Sequence, residues 1–175
     1  LPPRAQLDRL RAHELDAAIL GNIDNHERNQ FPIRQIARYP MAAVLPEHHA
    51  LAGRKPVKLA ALKSEDWVSL ADAVFPGRRE FLRQTCARAG FEPRIAHEVD
   101  SLSLMLYTVA AGDGVALLPN HSIKLAHPGC VFVPLVAPVP HSELLVVTGL
   151  QPPGPELATL VSLIADRAAM LEPPK

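Results

Sequence analysis

Arg78 and Arg79 open an apolar-patterned segment directly after Pro76-Gly77, and cations in the first turn of a helix oppose its dipole. One chemistry suits that placement. A guanidinium beside free backbone N–H groups holds an anion, such as a carboxylate or a phosphate, through charge-assisted hydrogen bonds. The other reading is a pair of solvated arginines meeting Glu80 or water. Asp100-Ser101 stands at the start of a second helical segment, where the Ser101 hydroxyl either caps the helix or faces a ligand. Gly21-Asn22 follows the apolar run Ile19-Leu20, and Pro119 ends the run from Val115 to Leu118. In an open α/β sheet, ligands settle beyond the carboxyl ends of the strands. The candidate ligand-binding residues are therefore Gly21, Asn22, Pro76, Gly77, Arg78, Asp100, Ser101 and Pro119.

Other chemistry has little to stand on. Among the histidines only His48 and His49 are adjacent, and neighbouring side chains on extended or turn backbone point apart. His13, His97, His121, His127 and His141 have no partner at i,i+4 and no Cys at zinc-site spacing, so no metal site is expected. Gly112-Asp113-Gly114-Val115 lacks the third glycine of a dinucleotide fingerprint, and there is no Walker loop or G-x-S-x-G elbow, so no cofactor is expected. Glu65-Asp66 before Trp67 reads as solvated loop charge. Without a nucleophile next to a positioned base, the sequence describes a binding protein and not an enzyme. Cys86 and Cys130 each lie in an apolar pattern and read as buried, reduced thiols.

The elements that must position these residues alternate. Ala5 to His13 has helical composition, and Leu15 to Leu20 follows as a strand. Gly21 to Gln30 reads as an exposed loop. Ile33 to Ala37 and Met41 to Leu45 are two strand-sized runs, the second stopped by Pro46. A turn at Lys58 to Lys63 and a strand at Trp67 to Leu70 precede the helix opened by Pro76-Gly77 and closed by Gly90. Pro93 to Val99 is a strand, and the helix after Ser101 carries Leu102, Met105, Leu106 and Val109 on one stripe. Val115 to Pro119 is a strand buried on both faces. A short helix around Ser122 to Leu125, a strand from Cys130 to Leu135, the Pro138-Val139-Pro140 joint and a strand from Glu143 to Gly149 lead to a terminal helix. Pro152, Pro153 and Pro155 start that helix and Pro173-Pro174 end it. This alternation predicts an α/β protein with mostly parallel sheets.

Composition agrees and narrows the function classes. The chain has 175 residues, 48% of them hydrophobic, with 18 Lys+Arg against 18 Asp+Glu. A net charge of zero offers no basic footprint for DNA or RNA. Its apolar runs fall far short of the roughly 20 residues needed to cross a bilayer, so no membrane partner is expected. Leu1-Pro2-Pro3-Arg4 has neither an initiator methionine nor a signal-peptide pattern, so the numbering is expected to begin inside a longer polypeptide.

Four stretches, in this order and spacing, carry a family likeness: Leu10-Arg11-Ala12-His13-Glu14-Leu15-Asp16-Ala17-Ala18-Ile19, then Ala43-Val44-Leu45-Pro46-Glu47-His48-His49-Ala50-Leu51-Ala52, then Ala87-Arg88-Ala89-Gly90-Phe91-Glu92-Pro93, and Val109-Ala110-Ala111-Gly112-Asp113-Gly114-Val115-Ala116-Leu117-Leu118-Pro119. The sequence resembles the C-terminal effector-binding domain of LysR-type transcriptional regulators over nearly its whole length. The resemblance implies two Rossmann-like subdomains joined by two crossover strands, as in a type 2 periplasmic-binding protein. The crossovers would lie near Arg38 to Met41 and Pro138 to His141, giving one subdomain from 1–38 plus 141–175 and another from 39–140. It implies a small-molecule effector, anionic in view of Arg78, in the inter-subdomain cleft, at loops matching the candidate residues above. It further implies a homodimer or homotetramer in the cytoplasm, with DNA bound only through an upstream winged helix-turn-helix. Pro2 or Pro3 stands where some aromatic-acid sensors carry Thr, and offers no side-chain hydrogen bond to such an acid. The alternative reading is a periplasmic solute-binding protein of a transport system.

Overall fold

The computed structural model describes residues 1–53, 56–151 and 154–171. Its elements are α1 (Pro3–Arg11), β1 (Ala17–Leu20), α2 (Asn25–Arg28), β2 (Ile33–Pro46), β3 (Asp66–Leu70), α3 (Arg78–Arg88), β4 (Arg94–Val99), α4 (Leu102–Ala110), β5 (Ala116–Pro119), β6 (Cys130–Pro134), β7 (His141–Thr148) and α5 (Pro155–Leu171). Two 3-10 turns, Leu59–Leu62 and Asn120–Leu125, complete the set. Pro152, Pro153, Pro173 and Pro174, expected to bound the last helix, lie outside the described residues.

The long strand β2 organises everything else. The two runs expected around Arg38-Tyr39-Pro40 are one strand of 14 residues. Proline removes only one donor, and at Pro40 that donor is not needed, because the strand changes partners there. From Ile33 to Pro40 it pairs antiparallel with β7; from Met41 onward it lies between β5 and β6. The Met41 N–H donates to the carbonyl of Pro140 at 2.8 Å, which stitches the two passing strands at the joint.

Beyond the joint, β2 is buried on both faces, and its period of two sorts its side chains into two cores. Met41, Ala43 and Leu45 pack with Trp67, Leu82, Cys86 and Leu117 on the α3 side. Ala42 and Val44 pack with Val68, Met105, Val109, Ala116 and Phe132 on the α4 side. The third core belongs to the other lobe, where Leu7 and Leu10 of α1 meet Ala18, Leu20, Phe31, Leu145 and Val147. Burial pushes the Cys86 thiol up to about 12, so it stays protonated and unreactive in its core, as expected of a buried thiol.

The expectation of mostly parallel sheets needs correction at the level of pairs. β3 and β4 pair in parallel, and a parallel bridge joins Trp67 to Val115, but β2 is antiparallel to β5, β6 and β7, and β1 is antiparallel to β7. The physical reason is the joint. A strand that enters a sheet from the neighbouring lobe needs no right-handed helical crossover, so nothing forces it to run parallel. β2 is thus the single reversed strand among β3, β4, β5 and β6, and β7 is the reversed one between β1 and β2.

Gly21 to Gln30 is not an exposed loop throughout. Asp24 caps α2 by accepting the Glu27 N–H at 2.8 Å, and Ile23 and Glu27 are buried. Charge explains the burial: Glu27 is held by Arg4 at 2.6 Å and by a short ion pair with Arg11, both projecting from α1. The pattern Asp24-x-x-Glu27, a cap with an acid at the third helical position, was the available signal.

Candidate ligand-binding cleft

Between α2, the β2–β7 joint and α3 lies a polar cleft of about 300 Å3. Asn22 and Gly77, both expected at a site, line it. So do Arg28, Arg38, His141 and Glu143 from one side and Glu80, Phe81, Gln84 and Arg88 from the other. Glu80, Gln84 and Arg88 fall at i, i+4 and i+8, the polar stripe of α3. That spacing was the readable sign of this wall. His141, a histidine without a partner at i,i+4 in the sequence, begins β7 at the cleft edge.

Several of these groups already have partners. Arg28 forms a short ion pair with Glu143, Glu80 accepts from Gln84 Nε2 at 2.8 Å, and Asn22 Oδ1 accepts the Glu143 N–H at 2.7 Å. The Asn22 Nδ2 donor is buried and has no hydrogen-bond partner among the described residues. Buried donors are rarely left unpaired, so this atom asks for an acceptor.

The start of α3 differs from the expected open anion cradle. The Arg78 N–H donates to Phe75 O at 3.2 Å and the Arg79 N–H to Asp72 Oδ1 at 2.9 Å, so the chain's own acceptors occupy these amides. The two arginines then part company. Arg79 is exposed and pairs with both carboxylate oxygens of Glu98 on β4, whose hydrogen bond and charge raise its pKa. Arg78 turns inward. Its guanidinium makes a short bond to the carbonyl of Leu117 in β5 and lies 5.2 Å over the ring of Phe81. Burial lowers its pKa to about 10, still far enough above neutrality to keep the charge. No carboxylate of the described residues pairs with it.

The remaining candidates stand elsewhere. Gly21 is exposed beside Asn22, and Pro76 is buried behind Gly77. Pro119 ends β5 opposite Met41. Asp100 is exposed, and Ser101 Oγ accepts the Leu104 N–H at 3.3 Å, the cap of α4. Of the expected residues, Gly21, Pro76, Arg78, Asp100, Ser101 and Pro119 do not line this cleft. Ser101→Ala should therefore lower the stability by about 1 kcal/mol, the usual worth of such a cap, in a urea titration, and leave ligand affinity unchanged.

Direct contacts bring the two lobes together at this cleft. The Arg4 N–H of α1 donates to Val74 O at 3.0 Å, across from the segment that follows β3. Gly77, at φ 80°, lies so close to α2 that a Cβ there would sit 2.6 Å from Asp24 N. Among the described residues no three His, Cys, Asp or Glu side chains converge to hold a metal ion, and no helix is long and apolar enough to cross a membrane.

Comparison with known proteins decides the family. Residues 1–169 match the family model of the LysR substrate binding domain. The chain belongs to that family. The LysR domain is 26% identical over 162 residues to the HTH-type transcriptional regulator XapR of Escherichia coli K12, covering 93% of this chain and 54% of XapR. It is 33% identical over 133 residues to the HTH-type transcriptional regulator ShiR of Corynebacterium glutamicum, covering 75% of this chain and 44% of ShiR. The chain thus spans about half the length of these curated relatives. Among solved structures, the effector-binding domain of QuiR in complex with shikimate superposes with a TM-score of 0.80 at 15% identity, over 98% of this chain and 80% of that domain's chain. The BenM effector-binding domain with its effector benzoate superposes with a TM-score of 0.77 at 22% identity, over 99% of this chain and 80% of that domain's chain. These likenesses show the two-lobed, type 2 periplasmic-binding-protein-like fold. The named relatives are transcriptional regulators, which favours effector sensing over solute transport.

Proposed function

We propose that the LysR domain binds a small anionic metabolite in the polar cleft and, through lobe closure, controls DNA binding and transcription by a larger cytoplasmic homodimer or homotetramer. DNA contact belongs to a winged helix-turn-helix outside these 175 residues, since the net charge here is zero. The domain catalyses nothing in this reading. The subdomains divide as 1–38 plus 141–175 and 39–140, a division supported by the partner switch of β2 at Pro40 and Met41.

The observation that carries the anionic effector is Arg78, which does not line the cleft itself but follows Gly77 and lies over the ring of Phe81, two residues that do. A partly buried guanidinium whose hydrogen bond goes to the neutral Leu117 carbonyl and not to a carboxylate favours a nearby anion. Asn22 Nδ2 supplies a second donor in want of an acceptor. The bound neighbours point the same way, because shikimate and benzoate are both carboxylates. A ligand biases closure only through its differential affinity for the open and closed arrangements, typically about 1–3 kcal/mol.

The experiment is calorimetric titration with a panel of small carboxylates that includes shikimate and benzoate. Arg78→Gln should weaken the best of them at least about tenfold, the worth of a charge-assisted hydrogen bond. The melting temperature should stay nearly level, because the charge removed is only partly buried and has no carboxylate partner. Equal affinity in wild type and Arg78→Gln removes Arg78 from the site, and a panel with no binder removes the anionic effector.

A further inference from the structure

A second hollow, of about 280 Å3, shares Thr85 and Arg88 with the polar cleft. Its character is different. Leu59, Ala60, Ala89, Val136, Pro138 and Val139 form its walls, and no carboxylate lines it. Two cations stand at it, Lys58 and Arg88, both exposed and neither in an ion pair with any described residue. Two other arginines of α3 are neutralised: Arg79 pairs with Glu98 and Arg83 with Glu92 at 2.7 Å. Arg88 differs in facing this hollow with no such partner.

We propose that the hollow is a second small-molecule site, for an amphipathic carboxylate whose alkyl or aryl body fills the apolar space and whose head meets Arg88 and Lys58. The volume lies near the lower end for small-ligand pockets. A wholly polar ligand would forfeit hydrogen bonds against these walls, and a neutral apolar one would gain nothing from the two cations. An amphipathic anion satisfies both halves. The site stands whether or not the neighbouring cleft binds an effector, and the sharing of Thr85 and Arg88 makes the two occupancies interdependent.

The test is calorimetry on the 175-residue chain with butanoate, hexanoate, octanoate and the neutral octanamide. Affinity should rise about fourfold for each added methylene, the ratio expected for burying a CH2 group. Octanoate should bind about fivefold more tightly than octanamide, the upper range for an exposed ion pair. Lys58→Gln combined with Arg88→Gln should abolish the preference for the carboxylate and keep the dependence on chain length. Ala60→Phe, which fills the hollow from an exposed position, should abolish the dependence on chain length. Arg83→Gln, on the same helix but paired to Glu92, should change neither. A flat response to chain length in the wild-type protein overturns the site, as does a dependence that survives Ala60→Phe. Should Ala60→Phe not fold, the charge variant decides: an undiminished preference for octanoate overturns the proposal. Arg78→Gln leaves octanoate binding intact while weakening the small carboxylates of the cleft, so failure of one site is distinguishable from failure of the other.

Discussion

Gly77→Ala should cost the domain its ligand response, while Gly90→Ala, at the other end of the same helix, should cost only stability. Both glycines are left-handed, with φ of 80° and 87°. Any L-residue there carries a strain of about 1 kcal/mol. At Gly90 an added Cβ meets nothing within 4 Å, so strain is the whole effect, and the melting temperature should fall by about 2–4 °C. At Gly77 the same methyl group falls 2.6 Å from Asp24 N and 2.9 Å from Asp24 Cα, both backbone atoms that cannot swing aside. Either α2 recedes or α3 does, and the lobes part at the cleft. Overpacking of this kind adds about 1–3 kcal/mol to the strain. Carboxylate affinity should drop at least about tenfold, since 1.4 kcal/mol of lost contact already gives that factor. Calorimetry and thermal melting on the two variants check this. Equal losses of affinity at both positions would show that the contact with Asp24 has no part in binding.

The second large effect concerns the buried carboxylate of Glu27, which is only 1% exposed and anchors α2 against α1 through Arg4 and Arg11. Arg4→Met combined with Arg11→Met leaves that charge buried with no counter-ion, and such a loss costs about 3–5 kcal/mol. In a domain of this size the melting temperature should fall by roughly 6–20 °C. Glu27→Gln should be milder, because Arg4 and Arg11 are each about one-third exposed and water can solvate them. Replacing all three residues by Met should recover most of the loss, since apolar side chains of similar volume remove the need for pairing. The ranking is the test. If the double arginine variant melts no lower than Glu27→Gln, the ion pairs do not hold α2 in place. As Asn22 to Arg28 form one wall of the cleft, carboxylate affinity should fall with the stability of this network.

Much of the fold was legible because local chemistry and packing agree. Gly77 and Gly90 bracket α3, Ser101 caps α4, and the apolar run at β5 alternates between two cores. Where the reading of the sequence failed, a distant partner had overruled a local signal. Pro40 looks like a break between two strands, yet β2 runs through it because the neighbouring strand changes at that residue. Gly21 to Gln30 looks solvated, yet Glu27 goes inside because two arginines from α1 follow it.

The site divides along the same line. Residue order and type by themselves fixed an α/β chain of the LysR family, the strand ends where a ligand could sit, and the presence of an arginine at the start of α3. Only the tertiary structure decided which of those ends meet. It brought Asn22 and Gly77 to one cleft and turned Arg78 inward and Arg79 outward. It also closed the helix start with Asp72 and gathered Arg28, Arg38, His141 and Glu143 from strands and a helix far apart in the chain. Side-chain periodicity is a property of a few neighbouring residues and is written in the sequence. The distance across a cleft depends on how two lobes pack around a shared strand, which no local window contains.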